Sequence, residues 1–390
     1  MKVLIYEGMF WHGECIPSYC AYFKELGYDV TVVVCEKHIN EQALWMLKDS
    51  GVSIYTFKTQ ISKKPIDLKK HLTEIKVPDL LHFDLYFVCT MLSNTYEFIK
   101  YLYRKGIKRS QILHQNHRNY QYFLKCTNSD KSLGQNGFIL GFDKNLAQLS
   151  PIKNLTGDNH LCLENDLEKI TLFIGGLSHI HFKNFEKLVK AVEKLNSEKE
   201  RFQINVTGIR ELGNYKLPES KYVRYLGRLN FKDLAYQYIV NDYCFVLFDE
   251  KALSYVKDHL MFLDGRVSGS RNMSIMYKIP LVVQKPFQIS WGLNDNNSIS
   301  YTGNDYEKVL LDLLNIKKEK YNSIINNLKT KEQEEFNFCL NNLKSKIEKT
   351  RTNKYISTTP FQSVTIIRNG KTVATQRPQK KPRFGVKKRS

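Results

Sequence analysis

Three short stretches of the chain place reactive or anion-binding residue types at meaningful spacing. In the first, an apolar run (Ile170, Leu172, Phe173, Ile174) stops at Gly175-Gly176, and Lys183 follows just ahead of a helical pattern. A glycine loop entering a helix offers backbone N–H groups at the positive end of the helix dipole, and a lysine beside it suits a phosphate. The second stretch, QILHQNHRNY, holds His114 and His117 three residues apart, with Arg118 next to one of them. A histidine can act as a base or donate hydrogen bonds near neutral pH. The third is the loop EGMFWHGECIPS, with His12, Gly13 and Glu14, where Phe10 and Trp11 have the shape to pave a sugar-binding surface. Each stretch also has a plainer reading: a glycine turn, a histidine that satisfies a strand end, aromatic rings that only pack.

Periodicity supplies the elements that would position these residues. Phe185, Leu188, Val189, Val192 and Leu195 recur at helical spacing, and Phe202, Ile204 and Val206 alternate before Thr207-Gly208, so Lys169 to Gly208 reads strand, loop, helix, strand. The chain opens in the same way, with strand Val3–Tyr6, a helix from Pro17 to Leu26 closed by Gly27, and strands Val30–Cys35 and Ile54–Phe57. A strand near 80–90, helix Ser93 to Arg104, strand Gln111–His114, and a last strand and helix within Ile139 to Ser150 complete the first half. Past the central unit come strand Tyr222–Leu226, which ends in Gly227-Arg228-Leu229, helix Phe231 to Val240 and strand Tyr243–Phe248. Ser268-Gly269-Ser270 is a good helix start, the helix runs to Tyr277, and Pro280 leads into another strand. Strand Ser298–Tyr301 and helices Tyr306–Leu314 and Tyr321–Lys349 follow. Alternating strands and helices imply α/β domains with doubly wound parallel sheets, whose ligands bind at the carboxyl edge.

The run LFIGGLSHIHFKNFEKLVKAVEKL resembles the unit that opens the second domain of glycosyltransferase family 4 and its relatives of GT-B fold, and YKIPLVV resembles the end of a later helix–strand motif of that family. The resemblance implies two Rossmann-like doubly wound domains facing across a cleft, with C-terminal helices packing back on the first domain. It implies sugar transfer from a nucleotide-sugar donor, without a metal or other cofactor and with retention of anomeric configuration. The acceptor would be a glycan or lipid-linked saccharide, as in cell-surface polysaccharide or glycoconjugate synthesis. Donor-binding residues would be Gly175, Gly176, Lys183, Gly208, Arg228, Ser270, Arg271 and Asn272; His114 and His117 would be catalytic; His12, Gly13 and Glu14 would form the acceptor or cleft loop. Two departures stand out. Gly176 occupies the place of the usual arginine, and the two glutamates of the later helix are absent. Arg271, at a helix start, is the residue expected to replace the missing cation at the phosphate.

The expected division is 1–150 for the acceptor domain, 151–168 for a linker, 169–318 for the donor domain, 319–350 for the returning helix and 351–390 for a largely disordered basic tail. The formal net charge is +20, and the last forty residues hold eleven Lys and Arg and no acid. Such a tail attracts an anionic membrane surface or nucleic acid. That basic end suits a second reading, a phage-type DNA-base glycosyltransferase of the same fold; the two departures suit a third, a degenerate, non-catalytic GT-B binding protein. The eight cysteines are scattered without metal-ligand spacing and read as reduced core thiols. MKVLIYEG is no signal peptide and no stretch is long and apolar enough to span a membrane, so a cytoplasmic protein, peripheral at most to the inner membrane face, is expected.

Overall fold

Strands that are apolar at nearly every position belong where both sheet faces are covered. The first, β1 (Lys2–Glu7), is buried from Val3 onward: Val3 and Ile5 enter one core cluster, Leu4 and Tyr6 the opposite one. The structure, a computed structural model, describes residues 1–8, 13–58, 75, 77–89, 93–108, 111–116, 137–139, 163, 166–177, 182–208, 211–212, 215–247, 269–351, 365–368 and 371–375.

After β1 come a short 3-10 turn (Gly13–Cys15), α1 (Ile16–Glu25), β2 (Asp29–Cys35), α2 (Glu36–Asn40), β3 (Ser53–Phe57), β4 (Leu85–Val88), α3 (Ser93–Arg104), β5 (Ile112–Asn116) and β6 (Gly137–Ile139). The six strands form one parallel sheet in the order β3-β2-β1-β4-β5-β6. The second domain repeats the plan with β7 (Ile170–Leu177), α4 (Phe182–Leu195), β8 (Phe202–Gly208), a small hairpin of β9 (Glu211–Leu212) and β10 (Tyr215–Lys216), β11 (Val223–Gly227), α5 (Phe231–Val240) and β12 (Tyr243–Phe245). It continues through α6 (Gly269–Tyr277), β13 (Leu281–Gln284), α7 (Lys285–Ser290), β14 (Ser298–Tyr301) and α8 (Tyr306–Leu314). Its parallel sheet runs β11-β8-β7-β12-β13-β14, so both sheets share one strand order and the expected pair of doubly wound domains is present.

The 34-residue helix α9 (Lys318–Arg351) joins the two domains. Its first half is buried in the second domain through Tyr321, Ile324, Ile325 and Leu328; Phe336, Cys339, Leu343 and Ile347 enter the core of the first. Burying each large apolar side chain contributes about 1.5–3 kcal/mol. The segment before β7 is fastened to the start of α9, where Asp166 accepts from the Lys318 N–H at 2.7 Å and the Leu163 N–H donates to Asn322 at 2.7 Å. A second bridge between the domains lies at Glu41, whose carboxylate pairs with Arg228 at 2.6 Å and whose carbonyl accepts from the Phe231 N–H at 2.9 Å. Beyond α9, β15 (Thr365–Arg368) and β16 (Lys371–Thr375) pair antiparallel.

Candidate functional site

In a sheet ordered this way, the crevice lies where strand order reverses, between β7 and β12 in the second domain. Three of the expected donor-site elements are assembled at that edge. The first is the glycine pair. Gly175 and Gly176 do not end the strand; β7 runs through them to Leu177 with one extra residue relative to β8, a β-bulge. Gly176 adopts φ +82° and its N–H donates to the Thr207 hydroxyl at 3.0 Å. That N–H is therefore committed within the fold, a correction to the expectation of a loop with free donors.

The second element is the start of α4. Lys183 is exposed in the first turn. Next to it Asn184 is buried and donates to the Leu247 carbonyl just beyond β12 at 3.4 Å, so the helix N-terminus is tied to the strand across the switch point. The third is the start of α6, where Ser270 shares a hydrogen bond with the buried hydroxyl of Tyr238. That phenol lies against Gly175: a β-carbon there would stand 2.6 Å from its oxygen. Burial, above all, pushes the Tyr238 pKa up, so the group stays a neutral phenol and bridges strand to helix. Sequence reading missed Tyr238 because an aromatic residue at helical spacing looks like core, and the ring does pack on Phe173 and Tyr277.

Arg271 requires correction. It is fully buried, its guanidinium donates to both carboxylate oxygens of Glu335 on α9, at 2.7 Å through Nη1, and Nε donates to the Trp291 carbonyl at 3.3 Å. A guanidinium turned into the protein and bound bidentately is not presented to a donor phosphate. Asn272 accepts from Arg271 Nη1 at 3.2 Å and belongs to the same cluster. Lys278 completes it: the residue is buried at φ +57° just past α6, a left-handed position that costs a non-glycine residue roughly 1–2 kcal/mol. Its ammonium meets Glu332 at 2.7 Å and the Met276 carbonyl at 3.0 Å. Removing one partner of such a buried pair costs about 3–5 kcal/mol, because the other charge is stranded.

Other expected donor residues have local employment. Gly208, at φ +118°, lies so close to Leu177 that a β-carbon would stand 2.3 Å from its carbonyl oxygen, so strand packing accounts for this glycine. Arg228 is exposed but spans to Glu41 of the first domain. In that domain, Gly13 packs against the buried His38, Glu14 is half-buried in the turn before α1, and His114 pairs through its backbone with Val88 and Gly137. His12 and His117 lie outside the described residues, as does Ser268. Among the described residues no group of three or more His, Cys, Asp or Glu is placed to hold a metal ion, and no helix is long and apolar enough to cross a membrane.

No protein-family model and no curated protein matches the chain. Among solved structures it is similar to the glycosyltransferase of kitacinnamycin, at 9% identity over 89% of this chain and 99% of that one, with TM-score 0.47. It is similar to the spinosyn forosaminyltransferase SpnP, at 12% identity over 89% and 99%, with TM-score 0.46. A putative UDP-N-acetylglucosamine 2-epimerase from Listeria monocytogenes is similar at 13% identity over 83% and 90%, with TM-score 0.44.

Proposed function

We propose that the protein is a glycosyltransferase that uses a nucleotide-sugar donor, bound in the second domain at the carboxyl edge of β7 and β12, and an acceptor on the first domain. The observation that carries this reading is Lys183, exposed in the first turn of a helix whose next residue, Asn184, is tied to the Leu247 carbonyl just beyond β12. A fixed helix N-terminus with an exposed ammonium stabilises negative charge growing on a departing diphosphate, where preorganised charge lowers the barrier most. The α6 start adds a second helix N-terminus through Ser270. The transfer is metal-independent and retaining, and the acceptor is a glycan or a lipid-linked saccharide. The basic 351–390 segment holds the enzyme near anionic material.

Incubation with UDP-, GDP-, dTDP- and ADP-sugars in the presence of EDTA tests this. Release of one nucleoside diphosphate, at a rate increased by a saccharide acceptor, is the expected result. Two observations favour a second reading, a nucleotide-binding protein without transferase activity: Arg271 is held by Glu335, and the Gly176 N–H by Thr207. Nucleotide binding without release from any sugar donor would select that reading.

A further inference from the structure

Helix α6 is gripped from α9 at both ends. Arg271, in its first turn, meets Glu335; Lys278, just past its end, meets Glu332; Lys331 adds a contact to Glu335 at 3.2 Å. The next residue of α9, Phe336, stacks on Tyr22 of α1 with ring centroids 4.8 Å apart, and Cys339 one turn on shares a hydrogen bond with the Tyr22 hydroxyl. Helix α1 follows the Gly13–Cys15 turn of the first domain's cleft loop, and the first turn of α6 is joined through Tyr238 to Gly175. Residues 332–336 thus touch the helix that opens at the donor edge and the helix that follows the acceptor loop.

Attachment alone does not need these charges. Helix α9 already buries apolar residues in both domains, and apolar groups of similar volume replace a buried ion pair with little or no loss of stability. Ion pairs add register. Two carboxylates one turn apart on α9 match two cations seven positions apart, one in the first turn of α6 and one just past its end, and a slide by one helical turn, about 5.4 Å, would strand the buried charges. Apolar contacts would tolerate a smaller slide.

We propose that Glu335 is a positioning residue: through Arg271 it sets the first turn of α6, and through the adjoining Phe336 it indexes the first domain to that turn, so that a nucleotide in the second domain is felt at α1. The link to nucleotide rests on the function proposed above. Contact alone does not couple two sites; coupling requires that both bias one shared element, here the α6–α9 junction, and the response at each end is measurable.

The test uses the full chain, Glu335→Gln, and the paired replacement Arg271→Met/Glu335→Leu, well below their unfolding temperatures. Backbone hydrogen exchange is followed in 16–25 and 269–277 with and without UDP, dTDP, GDP or ADP, and nucleotide affinity is measured by calorimetry. In wild type, the nucleotide that binds slows exchange in both helices. Glu335→Gln weakens that nucleotide at least tenfold and abolishes the α1 response, and the paired replacement recovers melting temperature without recovering either. Wild-type affinity and an intact α1 response in Glu335→Gln would overturn the proposal, as would recovery of both in the paired replacement. If wild type binds none of the four nucleotides, the donor reading fails and the positioning claim is judged on the free proteins. Faster exchange in both α6 and α1 of Glu335→Gln then supports it; an unchanged α1 overturns it.

Discussion

The hydroxyl of Tyr238 stands 2.6 Å from where a β-carbon on Gly175 would lie, and the same hydroxyl reaches Ser270 at the start of α6. A bulged strand and a helix N-terminus more than ninety residues apart in sequence are therefore spaced by one phenol.

Gly175→Ala should destabilise the protein by about 1–3 kcal/mol through overpacking against that oxygen. Tyr238→Phe alone should cost about 1 kcal/mol for its lost hydrogen bonds. In the double variant the added methyl meets the Phe173 ring at 3.2 Å and the residue 238 ring at 3.4 Å in place of the hydroxyl, so the combined loss should be smaller than the sum. Denaturant unfolding of the four proteins measures this; strict additivity would mean the two residues do not press on one another.

Gly208→Ala should cost roughly 1–3 kcal/mol, since φ +118° is strained for any side chain and the obstacle is the backbone of Leu177. Tyr238→Phe should give no rescue here, which separates the two glycines. Equal rescue in a melting experiment would assign both to one packing defect.

Acid should reveal Asp295. Its carboxylate accepts from Gln288, Lys285 and Ser300, and these bonds hold its pKa at about 2 against the ordinary 3.8. A carboxyl whose folded pKa is lowered adds stability above its unfolded pKa and loses it as pH falls through the folded value. The stability difference between wild type and Asp295→Asn should be constant above about pH 4 and shrink toward pH 2. The effect is modest because the side chain is largely exposed to solvent, which screens the interaction. Urea midpoints at each pH provide the measurement, and a difference unchanged down to pH 2 would show that the bonds do not act on the carboxylate.

Most of the architecture was legible because buried parallel strands and amphipathic helices write their periods plainly. Helices Ser93–Arg104, Phe231–Val240 and Tyr306–Leu314 and strand Ser298–Tyr301 have the predicted bounds. Short elements such as α2, α7 and the β9–β10 hairpin carry too few residues to show a period. The site was less legible, since a residue type does not disclose its partner. Arg271 has the chemistry of a phosphate ligand, and only the fold brings Glu335 to it across 64 positions. Lys278 stands where glycine is usual for a left-handed helix end, and the fold gives its ammonium Glu332 as a partner. The glycine pair read as a loop, yet the neighbouring strand continues the pairing and turns it into a bulge.

The proposed function requires that the second domain hold a nucleoside diphosphate at the first turn of α4. Calorimetric titration of UDP, dTDP, GDP and ADP into wild type and Lys183→Ala tests it most directly. A charge-assisted hydrogen bond contributes about 1.5–3 kcal/mol, so one nucleotide should bind wild type and bind the variant roughly 10- to 100-fold more weakly. Equal affinity in the two proteins, or binding of none of the four by wild type, would contradict the account.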